Sequence, residues 1–347
     1  MTISSACDAP PAEPTPRELV RDLFVPDLRI YWCDFLVATL GGHAAFGLLG
    51  LLIAAGFEPL WLRIASGIVL FITGCLLYYR AVMFVHELAH QRGEEFAALR
   101  LAWNLLCGIP MLIPSFTYSS HLDHHRRHHY GTDHDGEYLP LAGSSRFEIL
   151  LFFVGCVAVP LVAVARFGIL VPISWVIPGV RSWMWQRCSS LVIDPSYVRP
   201  MPNEREAQEI AWQETACCLW IWGAAILLCF APRGGVVPLT ISAAASLTVM
   251  TINTFRTLAA HRWTSEGEEM TVEEQLLDSL TYAEGGVWTE LWAPLGLRYH
   301  ALHHLLPGVP YHHLPEAHRR LMEKLPSDAP YRKTLASSPW ETIGQLL

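Results

Sequence analysis

Four stretches of this chain, roughly 34–56, 61–84, 214–231 and 236–257, are each long and apolar enough to cross a bilayer. A helix needs about 20 apolar residues to span the hydrocarbon core, so these four segments limit the fold more than any other feature. A length of 347 residues suits one or two soluble domains or one multi-span unit, and composition decides between them. Hydrophobic residues make up 52% and charged residues 16%. The mean hydropathy is +0.29, shifted towards the apolar side of a soluble average. Thirteen tryptophans and eleven tyrosines suit a protein with two water–lipid interfaces to line. A formal charge of −8, without a Lys/Arg block, does not suggest a nucleic-acid binder.

Short turns join the spans pairwise: Gly56-Phe57-Glu58-Pro59 in the first pair and Ala231-Pro232-Arg233-Gly234-Gly235 in the second. A fifth apolar stretch, 147–180, is broken by Pro160, Arg166, Pro172 and Pro178 and reads as two short spans or a helix pair in the interface. An even number of crossings there leaves both termini and all the histidine motifs on one side. That side also carries Arg92, Arg100, Arg126, Arg127, Arg181, Arg187, Arg199 and Arg205, against Arg63 and Arg233 on the other, so the positive-inside rule makes it cytoplasmic. The expected architecture is all-α and integral to the membrane. It has four transmembrane helices in two hairpins, with six as the alternative, under a cytoplasmic histidine-rich helical cap. Residues 1–33 form an N-terminal segment, 34–322 the membrane domain and 323–347 a C-terminal tail. The N-terminal segment is polar and proline-rich, unlike a cleaved signal peptide, and Thr15-Pro16-Arg17-Glu18 reads as a capping box opening a short helix. The nine cysteines contain no CxxC pair. Cys33, Cys75, Cys156, Cys217, Cys218 and Cys229 sit in apolar runs as small hydrophobes.

The chemistry lies in the histidines. His86 and His90 stand at i, i+4; His121, His124 and His125, and again His300, His303 and His304, at i, i+3, i+4; His261 lies one turn beyond the fourth span. Residues at these spacings share a helix face, so each box can aim its imidazoles at one point. Nine imidazoles are more than one metal needs, and imidazole suits Fe, Cu, Zn and Ni alike. Of the other seven, His43 lies within the first span, where either function or a hydrogen bond to a neighbouring helix accounts for it. His134, His313 and His318 read as solvated. His86-Glu87-Leu88-Ala89-His90 also satisfies the H-E-x-x-H zinc-protease pattern, but a protease would leave the other two boxes and His261 without a role. A metal transporter would place its ligands at mid-membrane, where only His43 lies.

The ordered set HxxxH, HxxHH, HxxHH with an isolated histidine after the fourth span resembles the membrane fatty acid desaturases and their hydroxylase and ketolase relatives, from about residue 34 to 322. Gly131-Thr132-Asp133-His134-Asp135-Gly136-Glu137-Tyr138 is similar to the acidic run after the family's second box. His303-His304-Leu305-Leu306-Pro307-Gly308-Val309-Pro310-Tyr311-His312 is similar to the tail of the third. The second box can also be read as His125-Arg126-Arg127-His128-His129; the spacing to Gly131-Thr132 favours His121, His124 and His125. Some relatives carry an Asn one turn before the lone histidine. That position here is Thr257, with Asn253 a further turn back, which leaves a tenth ligand open.

The resemblance implies two non-haem iron ions held by His86, His90, His121, His124, His125, His261, His300, His303 and His304. It also implies O2 as co-substrate and an acyl-chain lipid or thioester as substrate. The expected reaction is desaturation. The alternative is hydroxylation or ketolation of an alkane, sphingolipid or carotenoid. Glu87, Asp123, Asp133, Asp135 and Glu284 are candidate acceptors for the histidine N–H groups. No iron–sulfur or haem motif accompanies the boxes, so electrons are expected from a separate ferredoxin, rubredoxin or cytochrome-type donor. The spans are expected to form a greasy slot for the chain.

Overall fold

The computed structural model describes residues 14–56, 59–91 and 93–347, with Pro232 and Arg233 as backbone only. The Phe57-Glu58 part of the first turn, Arg92 and the Arg233 side chain therefore lie outside the described residues. Among those described, the chain is helical throughout, with two isolated β-bridges, His261 to Ser279 and Thr281 to Leu335. The capping box at Thr15 and Glu18 opens a helix over Pro16–Leu19.

The first hairpin pairs Leu28–Ala55 with Leu60–His90. Asp27 caps its start by accepting from the Arg29 N–H at 2.8 Å, and Gly56 ends the first arm at φ +60°, a conformation open to glycine without strain. Small residues let the arms approach closely: a Cβ on Gly74 would lie 2.6 Å from the Phe46 ring. The second hairpin pairs Glu204–Phe230, opened by an Asn203/Glu206 capping box, with Pro232–Ala260. All four helices are long and apolar enough to cross a membrane. So is an 18-residue run, Val159–Val176, making five by length and composition. Exposed Leu51, Val69, Leu219, Trp220 and Phe230 line their outer faces, a pattern that suits lipid rather than water.

The region between the hairpins is a chain of short helices, Arg146–Val157, Val159–Ala165, Val171–Val176 and Pro178–Cys188, with a π turn at Arg166–Leu170. Pro160, Pro172 and Pro178 each stand in the first turn of such a helix, where the missing N–H is not needed. His124 precedes this region and His261 follows it, yet their rings are 5.1 Å apart, so the region returns the chain to the side it left. Two side chains made costly by burial have their charges paired there: Arg166 bonds Glu214 at 2.6 Å, and Glu214 also pairs with Arg181.

His43 contacts the backbone of a neighbouring helix. Its Nε2 lies 3.3 Å from the Leu106 carbonyl, which also accepts from Tyr78 Oη at 2.9 Å. Leu106 sits in a π turn, Asn104–Gly108. The eight described cysteines are free. The main buried cluster joins Tyr31, Phe35, Phe84, Phe96 and Trp103 at the boundary of the first hairpin and the cap. A second seats Val20 and Leu23 against Leu302, Leu321 and Tyr331, so both flanking segments rest on the third histidine box.

Candidate metal centre

Nine histidines from four separate parts of the chain meet in two adjoining groups. One contains His86, His90, His121, His125 and His303, the other His124, His261, His300 and His304. Within each group one ring nitrogen from each histidine lies within 4.8 Å of those of the others. Eight of the nine are placed by helices: His86 and His90 by the last turn of Leu60–His90, three by His121–His124 and its cap, three by His300–Leu305. His261 caps the fourth long helix in extended conformation.

Neither triple box aims at one point. Residues four apart are offset by about 40° around a helix, but the third member lies about 60° to the other side. His121 and His125 therefore enter one group while His124 turns to the other. In the third box His300 and His304 pair, and His303 crosses over. The groups remain adjacent, with the His125 and His304 rings stacked at 4.3 Å. His128 and His129 lie outside both. His128 is exposed and faces Glu269 at 3.0 Å, and His129 approaches Asp123 at 3.5 Å.

Carboxylates set the ring orientations. His121 Nδ1 lies 2.9 Å from Glu137, and His124 Nδ1 lies 2.8 Å from Asp135. His261 Nδ1 lies 2.9 Å from Tyr130 Oη, which donates onward to Asp278 at 2.7 Å. An ionised carboxylate only accepts, so Nδ1 carries the proton and the Nε2 lone pair points into the group. Of the expected acceptors only Asp135 serves a ligand-group histidine. Glu87 instead accepts from Tyr31 Oη at 2.7 Å and the Tyr311 N–H at 3.3 Å, because it projects from a different helix face than His86 and His90. Asp123 accepts from Tyr197 Oη at 3.0 Å and pairs with Arg126, and Asp133 lies on the surface beside His134. The carbonyl of Glu284, not its carboxylate, is engaged, by Arg298 and Thr289. Glu137 stood within the acidic run visible in the sequence; Tyr130 and Asp278 carried no such signal. His318, expected in solvent, is half-buried with Nδ1 2.7 Å from Tyr331 Oη, whereas His134 is exposed as expected.

Burial first, and then one another's charge, push His125, His300, His303 and His304 well below the ordinary histidine range, which keeps the rings neutral as metal binding requires. Burial also pulls on His124, but the Asp135 carboxylate outweighs it and holds that ring above its usual value. Burial would raise Asp278; hydrogen bonding and charge from His261 overcome this and hold it at about 2.

The arrangement fits metal ions. Four pairs of Nε2 atoms face each other: His125 and His121 at 3.1 Å, His303 and His90 at 3.1 Å, His300 and His261 at 2.9 Å, His304 and His300 at 3.0 Å. Among the described residues, both nitrogens of His86 and Nδ1 of His125 and His300 are buried without partners. Nitrogens about 2.1 Å from a shared ion stand about 3 Å apart in neighbouring positions. A cavity of about 530 Å³ reaches the groups at His121, His124, His261 and His300 and is otherwise walled mainly by apolar side chains such as Val162, Phe167, Leu170 and Val249. Its size and lining suit a small apolar ligand. Thr257 and Asn253 both line it.

A helical membrane body with two adjoining histidine groups at the end of an apolar cavity defines the class of histidine-box oxidoreductases. The fatty acid desaturase family model matches residues 59–335, and the chain belongs to that family of di-iron enzymes. It is 37% identical over 334 residues to a ceramide hydroxylase of Caulobacter vibrioides (strain NA1000 / CB15N), covering 94% of this chain and 91% of the relative. No solved structure matches the chain. Together these make it an oxidoreductase of the di-iron hydroxylase and desaturase type.

Proposed function

We propose that the two groups hold two iron ions and that the chain hydroxylates an unactivated C–H bond of a ceramide-type lipid with O2. The observation that carries this reading is the 37% identity to a ceramide hydroxylase, sustained over nine-tenths of both chains. It moves hydroxylation, the alternative in the sequence, ahead of desaturation, which would use the same nine histidines. Bound iron would supply O2 activation and the oxidising power for C–H cleavage.

The protein supplies position and dryness. His86, His90, His121, His125 and His303 would hold one ion, and His124, His261, His300 and His304 the other. Glu137, Asp135, Tyr130 and Asp278 fix ring rotation and leave Nε2 free. The apolar cavity keeps water from the reacting carbon and holds the chain against the centre. Electrons come from a separate ferredoxin, rubredoxin or cytochrome-type protein, and the arginine asymmetry of the loops supports a cytoplasmic site and termini.

Lipid mass spectrometry on cells with and without the gene tests the reading. A ceramide one oxygen heavier that disappears with the gene is expected. A product lighter by a pair of hydrogens would return the chain to the desaturases, and an unchanged ceramide pool would remove the substrate assignment. Metal analysis of the purified protein should find about two irons per chain, and zinc in their place would sink the oxidase reading.

A further inference from the structure

Arg256 is a buried cation in the wall of a mainly apolar cavity. It lies in the last turns of the Pro232–Ala260 helix, is 7% exposed and lines the cavity beside the histidine groups. Among the described residues its Nε has no hydrogen-bond partner and no carboxylate pairs with it. One terminal nitrogen donates to Asn253 Oδ1 at 3.3 Å and Thr257 Oγ1 at 3.1 Å, both neutral and both also in the cavity wall. Arg166, the other buried arginine of the wall, differs: Glu214 neutralises it at 2.6 Å. The Arg256 charge is felt at the histidine centre, where it disfavours protonation of His300 and His303.

A guanidinium taken out of water without a counter-group is unfavourable; its planar fork matches a carboxylate in bidentate fashion, and its N–H groups can each donate to a carbonyl oxygen. A methyl-ended chain pushed against Arg256 would leave its Nε without an acceptor and its charge without a counter-group. We propose that Arg256, supported by Asn253 and Thr257, is the head-group site of the lipid cavity. It binds a carbonyl-type oxygen at the head of an acyl chain, either an amide carbonyl or a carboxylate, and so presents a carbon near that head, not one in mid-chain, to the histidine groups. The inference rests on the reading that the cavity takes an acyl lipid. The tail then runs away from the centre along Val162, Phe167 and Leu170.

Binding to chelator-stripped protein in detergent tests this without turnover. Melting temperature is followed with a short-chain ceramide, a fatty acid and an alkane of equal chain length. The oxygen-bearing ligands should stabilise the protein clearly more than the alkane, as ligands that bind only the folded state do. Arg256→Met should weaken that binding roughly 10- to 100-fold and level the three ligands, and Arg256→Lys should restore part of it. A stronger effect of ceramide identifies the amide as the source; a stronger effect of the fatty acid identifies the carboxylate. Equal stabilisation of wild type by all three, or of wild type and Arg256→Met by ceramide and fatty acid, overturns the site. The wild-type comparison stands even if the variants do not fold. A new hydroxyl far from the carbonyl in the wild-type product would also overturn it. Because the binding arms need no iron or oxygen, a chain that proves not to be a hydroxylase leaves them interpretable.

Discussion

His124 and Asp135 meet at 2.8 Å, both fully buried, across a turn that also brings the Gly131 and Glu137 N–H groups onto the same carboxylate at 3.0 and 2.9 Å. One acidic side chain thus organises both the loop and the ring that links the second box to the His261 group. Asp135→Asn should lower metal affinity in that group about 10- to 100-fold. Iron retained per chain after dialysis against a graded chelator series checks it, and retention equal to wild type would count against the role.

The split of each box between two groups predicts separable losses. His303→Ala removes a member of one group and His261→Ala of the other, so each variant should keep about one ion of two. His128→Ala, exposed and outside both, should keep the full complement. Metal analysis of membrane-inserted protein decides, and loss of all metal in His128→Ala would restore the alternative second box.

Glu87 distinguishes this centre from an H-E-x-x-H protease. Both of its donors, Tyr31 Oη and the Tyr311 N–H, reach the same oxygen, which the amide of Gln can reproduce. Glu87→Gln should keep most lipid oxidation, whereas a general base would lose about 10²- to 10⁴-fold. Glu87→Ala strands two buried donors at about 1–3 kcal/mol each, visible as a lower melting temperature.

Acid should destabilise the metal-free protein. The unfolded chain takes up protons near the ordinary histidine value of 6.5, while buried His125, His300, His303 and His304 resist them. Stability therefore falls as pH drops below about 6.5, by up to about 1.4 kcal/mol per pH unit for each resisting ring. His124, raised by Asp135, acts oppositely, its contribution being lost as pH rises through its folded value. The melting temperature of chelator-stripped protein should drop between pH 7 and pH 5; a flat profile contradicts the buried neutral rings.

Glu214 carries two arginines, Arg166 at 2.6 Å and Arg181, with almost no exposure of its own side chain. Glu214→Ala leaves a buried guanidinium uncompensated and should cost about 3–5 kcal/mol. Replacing the pair, as Arg166→Met with Glu214→Leu, should recover most of that. Thermal unfolding of the single and double variants checks it.

The sequence by itself determined the helical hairpins and the helix-face spacing of the histidine boxes, with the second box left open between two readings. A run of about 20 apolar residues has few ways to satisfy its backbone in lipid, and i, i+3, i+4 spacing is a local property of any helix. The 147–180 region was legible as broken and as returning, but its division into short helices around a π turn was not, because that path depends on what the helices pack against. How nine histidines divide between two groups, and which carboxylates turn their rings, only the tertiary structure decided. Asp278 reaches His261 through Tyr130, which lies 131 residues from that histidine along the chain. Glu87, adjacent to a group histidine in sequence, faces away from it. Arg256 shows the same limit: that no carboxylate among the described residues pairs with it is invisible in a string of residues, since a partner can come from anywhere in the fold.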